Sequence, residues 1–323
     1  MASLKEIKTR IASVNSTRKI TSAMKMVASS KLHHAQTAIQ NMLPYENLLE
    51  HILKSFLIST PETNSPYESV HGKSQRVALV VYTSNSSLCG GFNNNTIKMM
   101  LEIVAEYKAQ GIDDIVVYPV GRKVEEKARK EGFTVACSFA ELADKPNAEG
   151  CRQIAHELGE QFLAGKLSKV ELIYHHFKSA GSQILTSKTF LPIDLESELE
   201  RDHERDLTMN VATKKAVDYL RQKGRRKREE EANETAPLND NFIVEPDMNT
   251  VLSQLLPKMA HLMLYTALLD SVASEHAARM VAMQTATDNA DELLRMLNLQ
   301  YNKGRQQAIT SELLDIVGGS VNN

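Results

Sequence analysis

The run Leu88-Cys89-Gly90-Gly91-Phe92-Asn93 is where this sequence comes nearest to chemistry. It follows an apolar strand and precedes a helix, the place where a phosphate-cradling loop sits in a doubly wound sheet. The pattern stops short of a fingerprint. No GxGxxG and no GxxxxGK[ST] occurs, and Gly72-Lys73-Ser74 lacks a glycine at the required upstream spacing. A tight structural turn is the better reading. Cys89 has no partner His indicated by spacing, so a buried structural thiol is expected rather than a nucleophile. His33-His34 and His175-His176 are adjacent pairs. Neighbours on a helix or a strand point in different directions, so neither pair makes a metal site by itself. Nothing selects Glu141 with Asp144, or Glu196 with Glu198, as an acid/base pair. No catalytic constellation, cofactor site or metal site emerges.

Composition points the same way. The chain has 323 residues, no Trp, 13 Met and only 5% aromatic residues, which suits an extended helical body better than one large core. The formal net charge of −2 gives no bulk attraction toward nucleic acid or a membrane surface. Cys89, Cys137 and Cys151 form neither a zinc pattern nor an even disulfide framework, and a reducing compartment fits. The start, MASLKEIKTR, is charged and amphipathic rather than a signal peptide. No run reaches the roughly 18 apolar residues of a membrane span.

The elements that would position any site fall into three stretches. From Leu4 to Leu57 apolar residues recur at three- and four-residue steps, through Ile7, Ile11, Val14, Ile20, Met24, Val27, Leu32, Ala35 and Ile39. Ser3 and Glu6 resemble a capping box at its start, and Pro44 is a candidate kink. Thr21, Ser22, Ala23, Ala28, Ser29 and Ser30 are small and would let another backbone come close. The middle alternates. Strands are expected at Arg76–Thr83, Asp114–Val120 and Phe133–Cys137, with helices near Thr96–Ala109, Arg122–Glu131 and Asn147–Ala164. A hairpin of Lys169–Phe177 and Ser182–Leu191 follows, turning at Ser179-Ala180-Gly181. This order with an antiparallel edge suggests a doubly wound α/β sheet. From Met248 to Val317 a second long helix is expected, ended by Gly318-Gly319. The terminal helices read as an antiparallel coiled coil, with the longer C-terminal helix overhanging. The parts are 1–58 (helix), 73–194 (α/β domain), 195–241 (charged insertion) and 242–323 (helix). The run RRKREEE at Arg225–Glu231 pairs charges four apart, worth at most about 0.2–0.5 kcal/mol each, and reads as a solvated surface. Near the end, Arg305, Ile309 and Glu312 share one helical stripe, and Gln306, Thr310 and Leu313 the next.

The residues then become specific. SLKEIKTRIASVNSTRKITSAMKMVASSKL at the start resembles the N-terminal helix of the rotary F-type ATP synthase gamma subunit. LLDSVASEHAARMVAMQTATDNADELLRMLNLQYNKGRQQAITSELLDIVGG resembles its C-terminal helix almost position by position. LCGGFN is similar to the family's turn after the first strand, and FIVEPD (Phe242–Asp247) to its entry into the last helix. The resemblance implies a coiled coil of the two terminal helices with a Rossmann-like α/β domain inserted between them. It implies the central-stalk rotor subunit, transmitting proton-driven rotation of the c-ring to the catalytic beta subunits for ATP synthesis. The implied partners are three alpha and three beta subunits, the epsilon subunit and the c-ring, with no nucleic acid and no cofactor. The implied place is peripheral, on the cytoplasmic face of the cell inner membrane.

Carried over by motif, Met24 in SAMKMV and Arg279 in AARM match family positions near the contact between shaft and beta. Arg305, Gln306, Thr310 and Glu312 match the polar cluster that meets beta loops, and Arg18 and Lys25 match further basic contacts. Three departures stand out. Asn85-Ser86-Ser87 replaces an acidic and a basic residue plus glycine before LCGG. Gly304 replaces a usual alanine, which loosens a helix by about 1 kcal/mol. The 195–241 region is longer than the usual form. Its charge motivates the expectation that it contacts the stator or epsilon and restrains ATP hydrolysis. The alternatives are a Rossmann-type nucleotide enzyme with helical arms, separated by ATP or NAD affinity of the chain alone, and a generic coiled-coil scaffold.

Overall fold

The computed structural model describes residues 4–59, 67, 75–193, 244–245 and 247–321. The Thr60–Lys73 loop apart from Tyr67, the 195–241 stretch with its Arg225–Glu231 run, and the Glu196/Glu198 pair lie outside them. In order, the elements are α1 (Leu4–Ser59), β1 (Val77–Tyr82), α2 (Phe92–Ala109), β2 (Ile115–Val120), α3 (Arg122–Lys130) and β3 (Thr134–Val135). There follow α4 (Ala140–Asp144), α5 (Ala148–Leu163), β4 (Lys169–Ser179), β5 (Ser182–Leu191) and α6 (Met248–Val321). The chain divides into two units, Met1–Ala28 with Arg279–Asn323, and Ser29–Ala278.

In the first unit two helices pair. Arg18 Nη1 donates to Asp291 Oδ1 at 2.9 Å, and the hydroxyls of Thr21 and Thr287 meet at 2.9 Å. Gly304 lies against Leu4, where an added Cβ would sit 3.2 Å from Leu4 Cδ2. Numbers rise along one helix as they fall along the other, so the pairing is antiparallel. The shielded positions of α1 run 4, 7, 11, 14, 18, 21 and 28, and Met283, Ala290 and Leu297 are buried seven apart on α6. That is heptad spacing. Two apolar residues expected on this seam are off it, since Ile20 is 60% and Val27 58% exposed. The alternation of three and four steps from Val14 leads to Arg18 and Thr21 and turns Ile20 and Val27 outward.

In the second unit a five-stranded sheet has the order β3-β2-β1-β4-β5. β1 pairs in parallel with β2 and β4, β2 in parallel with β3, and β5 lies antiparallel on β4. This is the doubly wound, Rossmann-like arrangement. Because side chains alternate along a strand, β1 feeds two cores. Val77, Leu79 and Val81 pack with Met100, Ile103 and Val104 of α2 and Val124 and Ala128 of α3. Tyr82 instead reaches α6, donating to the Leu264 carbonyl at 3.1 Å, and Tyr118 of β2 donates to Glu157 of α5 at 3.1 Å. Helices therefore cover both faces.

Three expectations are corrected. β3 spans only Thr134–Val135, because the chain leaves the sheet where Ala136 N bonds Val117 O and turns into α4. α2 begins at Phe92, four residues earlier than expected, its first turn closed by Asn95 N on Gly91 O. α6 does not stop at Gly318-Gly319 but runs through both glycines to Val321, just as α1 runs through Pro44. Glycine lowers helix stability by about 1 kcal/mol and does not forbid the conformation.

Candidate functional site

The turn after β1 is a packed polar knot. Ser84 N donates to Asn93 Oδ1 at 3.0 Å, and Asn93 Nδ2 donates to Ser84 Oγ at 2.8 Å and lies 3.2 Å from Cys89 Sγ. Ser84 Oγ also bonds the Ser86 carbonyl at 2.6 Å. Ser84, Cys89 and Asn93 are all buried, which makes Cys89 the structural thiol expected. The Asn93 side chain, in the first turn of α2, thus ties down the chain's own loop after β1. Asn85, one of the departures before LCGG, links three elements. Its Nδ2 donates to Ala140 O and Asp144 Oδ2, both at 2.7 Å, while its Oδ1 accepts from Arg122 N at 2.9 Å. A neutral amide does this because it carries donor and acceptor together. Asp144 is engaged in that link rather than with Glu141.

The second histidine pair splits across the sheet, as strand geometry requires. His175 faces α2, stacked on Phe92 with ring centroids 4.4 Å apart and 3.3 Å from Thr96 Oγ1. His176 faces α6 and bonds Asp270 Oδ2 through Nδ1 at 2.7 Å. Burial pushes the His175 imidazole down to about 4 from its usual 6.5. It is therefore neutral in the folded chain at pH 7, and the unfolded chain gains a proton below 6.5. Its share of the stability is complete above pH 6.5 and is lost as pH falls toward 4. At pH 5 that loss is about 2 kcal/mol. Urea unfolding of the purified chain at pH 7 and pH 5 should show His175→Asn losing less stability on acidification than the wild type, by about that amount.

The six positions carried over from the family separate into two groups. Met24 and Arg279 are half-buried on α1 and α6. Arg305, Gln306, Thr310 and Glu312 are all exposed on α6, about 39 Å further along from Arg279 at 1.5 Å per residue. Register derived from the Thr21–Thr287 contact sets Met24 opposite residue 284, so Met24 and Arg279 are offset by more than a turn. Thr310 Oγ1 donates back to the Gln306 carbonyl at 2.9 Å. Beyond Gly304, which lies against Leu4 at the start of α1, α6 continues for about 25 Å. On that overhang Ile309, Leu313 and Leu314 are 49%, 58% and 65% exposed. Arg18 is held by Asp291, a pair the sequence reading missed, although Asp291 lies in the quoted C-terminal helix motif. The small-residue run was a usable signal for Thr21 and Ala28, which are buried, whereas Ala23 and Ser30 point outward.

Among the described residues no helix is long and apolar enough to cross a membrane, and no group of three metal-ligating side chains occurs. A family model described as ATP synthase matches residues 3–321. The ATP synthase gamma chain of Phocaeicola vulgatus is 51% identical over 321 residues, covering 99% of this chain and 100% of the relative. That of Bacteroides thetaiotaomicron is 49% identical with the same coverage. Among solved structures, a rotor chain of the Euglena gracilis mitochondrial ATP synthase aligns with TM-score 0.56 and 18% identity, over 95% of this chain and 98% of that one. A chain of the Tetrahymena thermophila mitochondrial central stalk and c-ring assembly aligns with TM-score 0.55 and 22% identity, over 83% and 99%. These two likenesses are of fold. The family model and the curated relatives, with which this fold agrees, lead to one conclusion: the chain belongs to the ATP synthase gamma-chain family.

Proposed function

We propose that the chain is a noncatalytic shaft. Its paired helices turn within a ring of three alpha and three beta subunits, and its α/β domain rests on the epsilon subunit and the c-ring. It sits peripherally, on the cytoplasmic face of the cell inner membrane, held there by the complex. Proton flow turns the c-ring, the α/β domain follows, and the asymmetric shaft meets each beta subunit in turn. Coupling then comes from differential contact with open and closed beta conformers. Met24 and Arg279 supply one band of contact, and Arg305, Gln306, Thr310 and Glu312 another near the tip.

The observation that carries this reading is the apolar character of an exposed surface. Ile309, Leu313 and Leu314 stand on a stretch of α6 beyond the start of α1, and Ile20 and Val27 face away from the helix seam. A chain that worked alone would leave this surface in water, whereas a shaft in a sleeve buries it.

The test is coexpression with the alpha and beta subunits. A complex of three alpha, three beta and one copy of this chain should purify, with ATP hydrolysis by the complex and no ATP or NAD binding by the chain alone. A chain that remains outside such complexes, or binds nucleotide tightly by itself, would refute the proposal.

A further inference from the structure

We infer that the polar seam between the sheet and α6 is the joint through which the α/β domain grips the shaft helix, with His176 and Asp270 as its positioning residues. The inference rests on the rotor reading above. Three bonds between described residues cross the seam. Tyr82 at the end of β1 donates to the Leu264 carbonyl at 3.1 Å. His176 Nδ1 and Asp270 Oδ2 meet at 2.7 Å, with the aspartate side chain only 1% exposed. Ser274 Oγ donates to the His175 carbonyl at 3.2 Å.

Their placement suits a grip better than mere adhesion. Asp270 and Ser274 are four apart and share one face of α6, which they set against adjacent residues of β4. Leu264 is held by a different strand, about 9 Å away along the helix. Between and beside these bonds the helix carries buried apolar residues, Leu264, Ala267 and Leu268, all nearly inaccessible. Apolar contact is non-directional, so by itself it allows a helix to roll on a sheet. Hydrogen bonds demand distance and angle, and fix the helix's rotation about its own axis. A roll that parted His176 from Asp270 would break a hydrogen bond to a carboxylate shielded from water, so the joint resists twist most where it is driest. Nothing in the fold alone needs this: a helix of this length could be docked by apolar residues only. A subunit that passes torque from a sheet to a helix does need it.

The experiment uses the whole complex reconstituted in liposomes, reading ATP hydrolysis and ATP-driven proton uptake together. Asp270→Leu combined with His176→Phe removes both members of this hydrogen bond. Hydrolysis should stay within about twofold of wild type, while the ratio of proton uptake to hydrolysis falls about fivefold or more. Asp270→Asn, which keeps a hydrogen bond to His176, should hold that ratio within about twofold of wild type. A double variant with the wild-type ratio overturns the inference, as does a parallel loss of hydrolysis and uptake, the signature of a merely structural pair. Should the double variant not assemble, Ser274→Ala takes its place. It removes one hydroxyl, and an unchanged ratio there overturns the inference equally. A wild-type complex that hydrolyses ATP without proton uptake would instead sink the rotor reading, and the inference that rests on it.

Discussion

Gly121→Ala should abolish stable folding of the α/β domain, at a cost on the order of 4 kcal/mol. Gly121 links β2 to α3 with φ of +117°, a region that side chains strongly disfavour. A Cβ built there would lie 2.1 Å from the Thr83 carbonyl oxygen and 2.7 Å from its carbon. Those are backbone atoms at the end of β1, and they are pinned from several sides. Thr83 N bonds Val120 O at 2.8 Å, Val124 N bonds Thr83 Oγ1 at 3.1 Å, and Lys123 N bonds Ser84 O at 3.3 Å. Relief would require parting β1 from the start of α3, beside the Ser84–Asn93 knot. The strain and the clash therefore add. The comparison is Gly181→Ala in the β4–β5 turn, where nothing lies within 4 Å of the added carbon. That variant should fall within about 0.5 kcal/mol of wild type. Soluble yield and the urea midpoint of the purified chains distinguish the two. A Gly121→Ala chain as stable as Gly181→Ala would show that the β1–α3 contact yields easily.

Gly121 also marks where the sequence stops being legible. The strands of the sheet were readable because burial on both faces demands near-continuous apolar runs, and RVALVVYT is one. The long helices were readable from their period. What escaped were features set by partners distant in sequence. Nothing local in GRKVEE tells that Gly121 must lie against Thr83. Nothing in IYHHFK tells that His175 will stack on Phe92 while His176 meets an aspartate 94 residues further on. β3 was overcalled because its apolar run competes with a chain path into α4 that only the Val117 and Pro119 carbonyls reveal. The helix end at Gly318-Gly319 was overcalled for the opposite reason. A local stop signal was given weight that α6 overrides in its backbone. Ile20 and Val27 show the subtlest case. They fit a helical period, but the choice between two neighbouring stripes was fixed by which one α6 occupies.

That choice bears on the candidate site. An apolar residue turned away from the only helix beside it is surplus to this chain's own packing, and so is the polar stripe at the tip. Gly304 belongs to the same logic. Read from the sequence it is a weak point in a helix. Against Leu4 it is a place of close approach between the two helices, at the start of α1.

The tip residues carry the largest functional effect expected outside the fold. Arg305→Ala with Gln306→Ala should lower coupled ATP synthesis by roughly 10- to 100-fold while leaving the complex assembled. Hydrogen bonds to charged groups contribute about 1.5–3 kcal/mol each, and one lost at the moment of coupling corresponds to about that range. Stability should barely move. Both side chains are exposed, alanine is the better helix former, and the Thr310 hydroxyl bonds the backbone carbonyl of residue 306, which the substitution keeps. Lys303→Ala, exposed on the same helix, serves as the comparison and should synthesise ATP normally. The measurement is synthesis by liposomes carrying the intact complex under an imposed proton gradient, with copurified alpha and beta subunits as the measure of assembly. Normal synthesis by the assembled double variant would remove Arg305 and Gln306 from the coupling surface. An assembled complex that synthesises slowly, beside a normal Lys303→Ala, would locate coupling in these two side chains rather than in the length of the shaft.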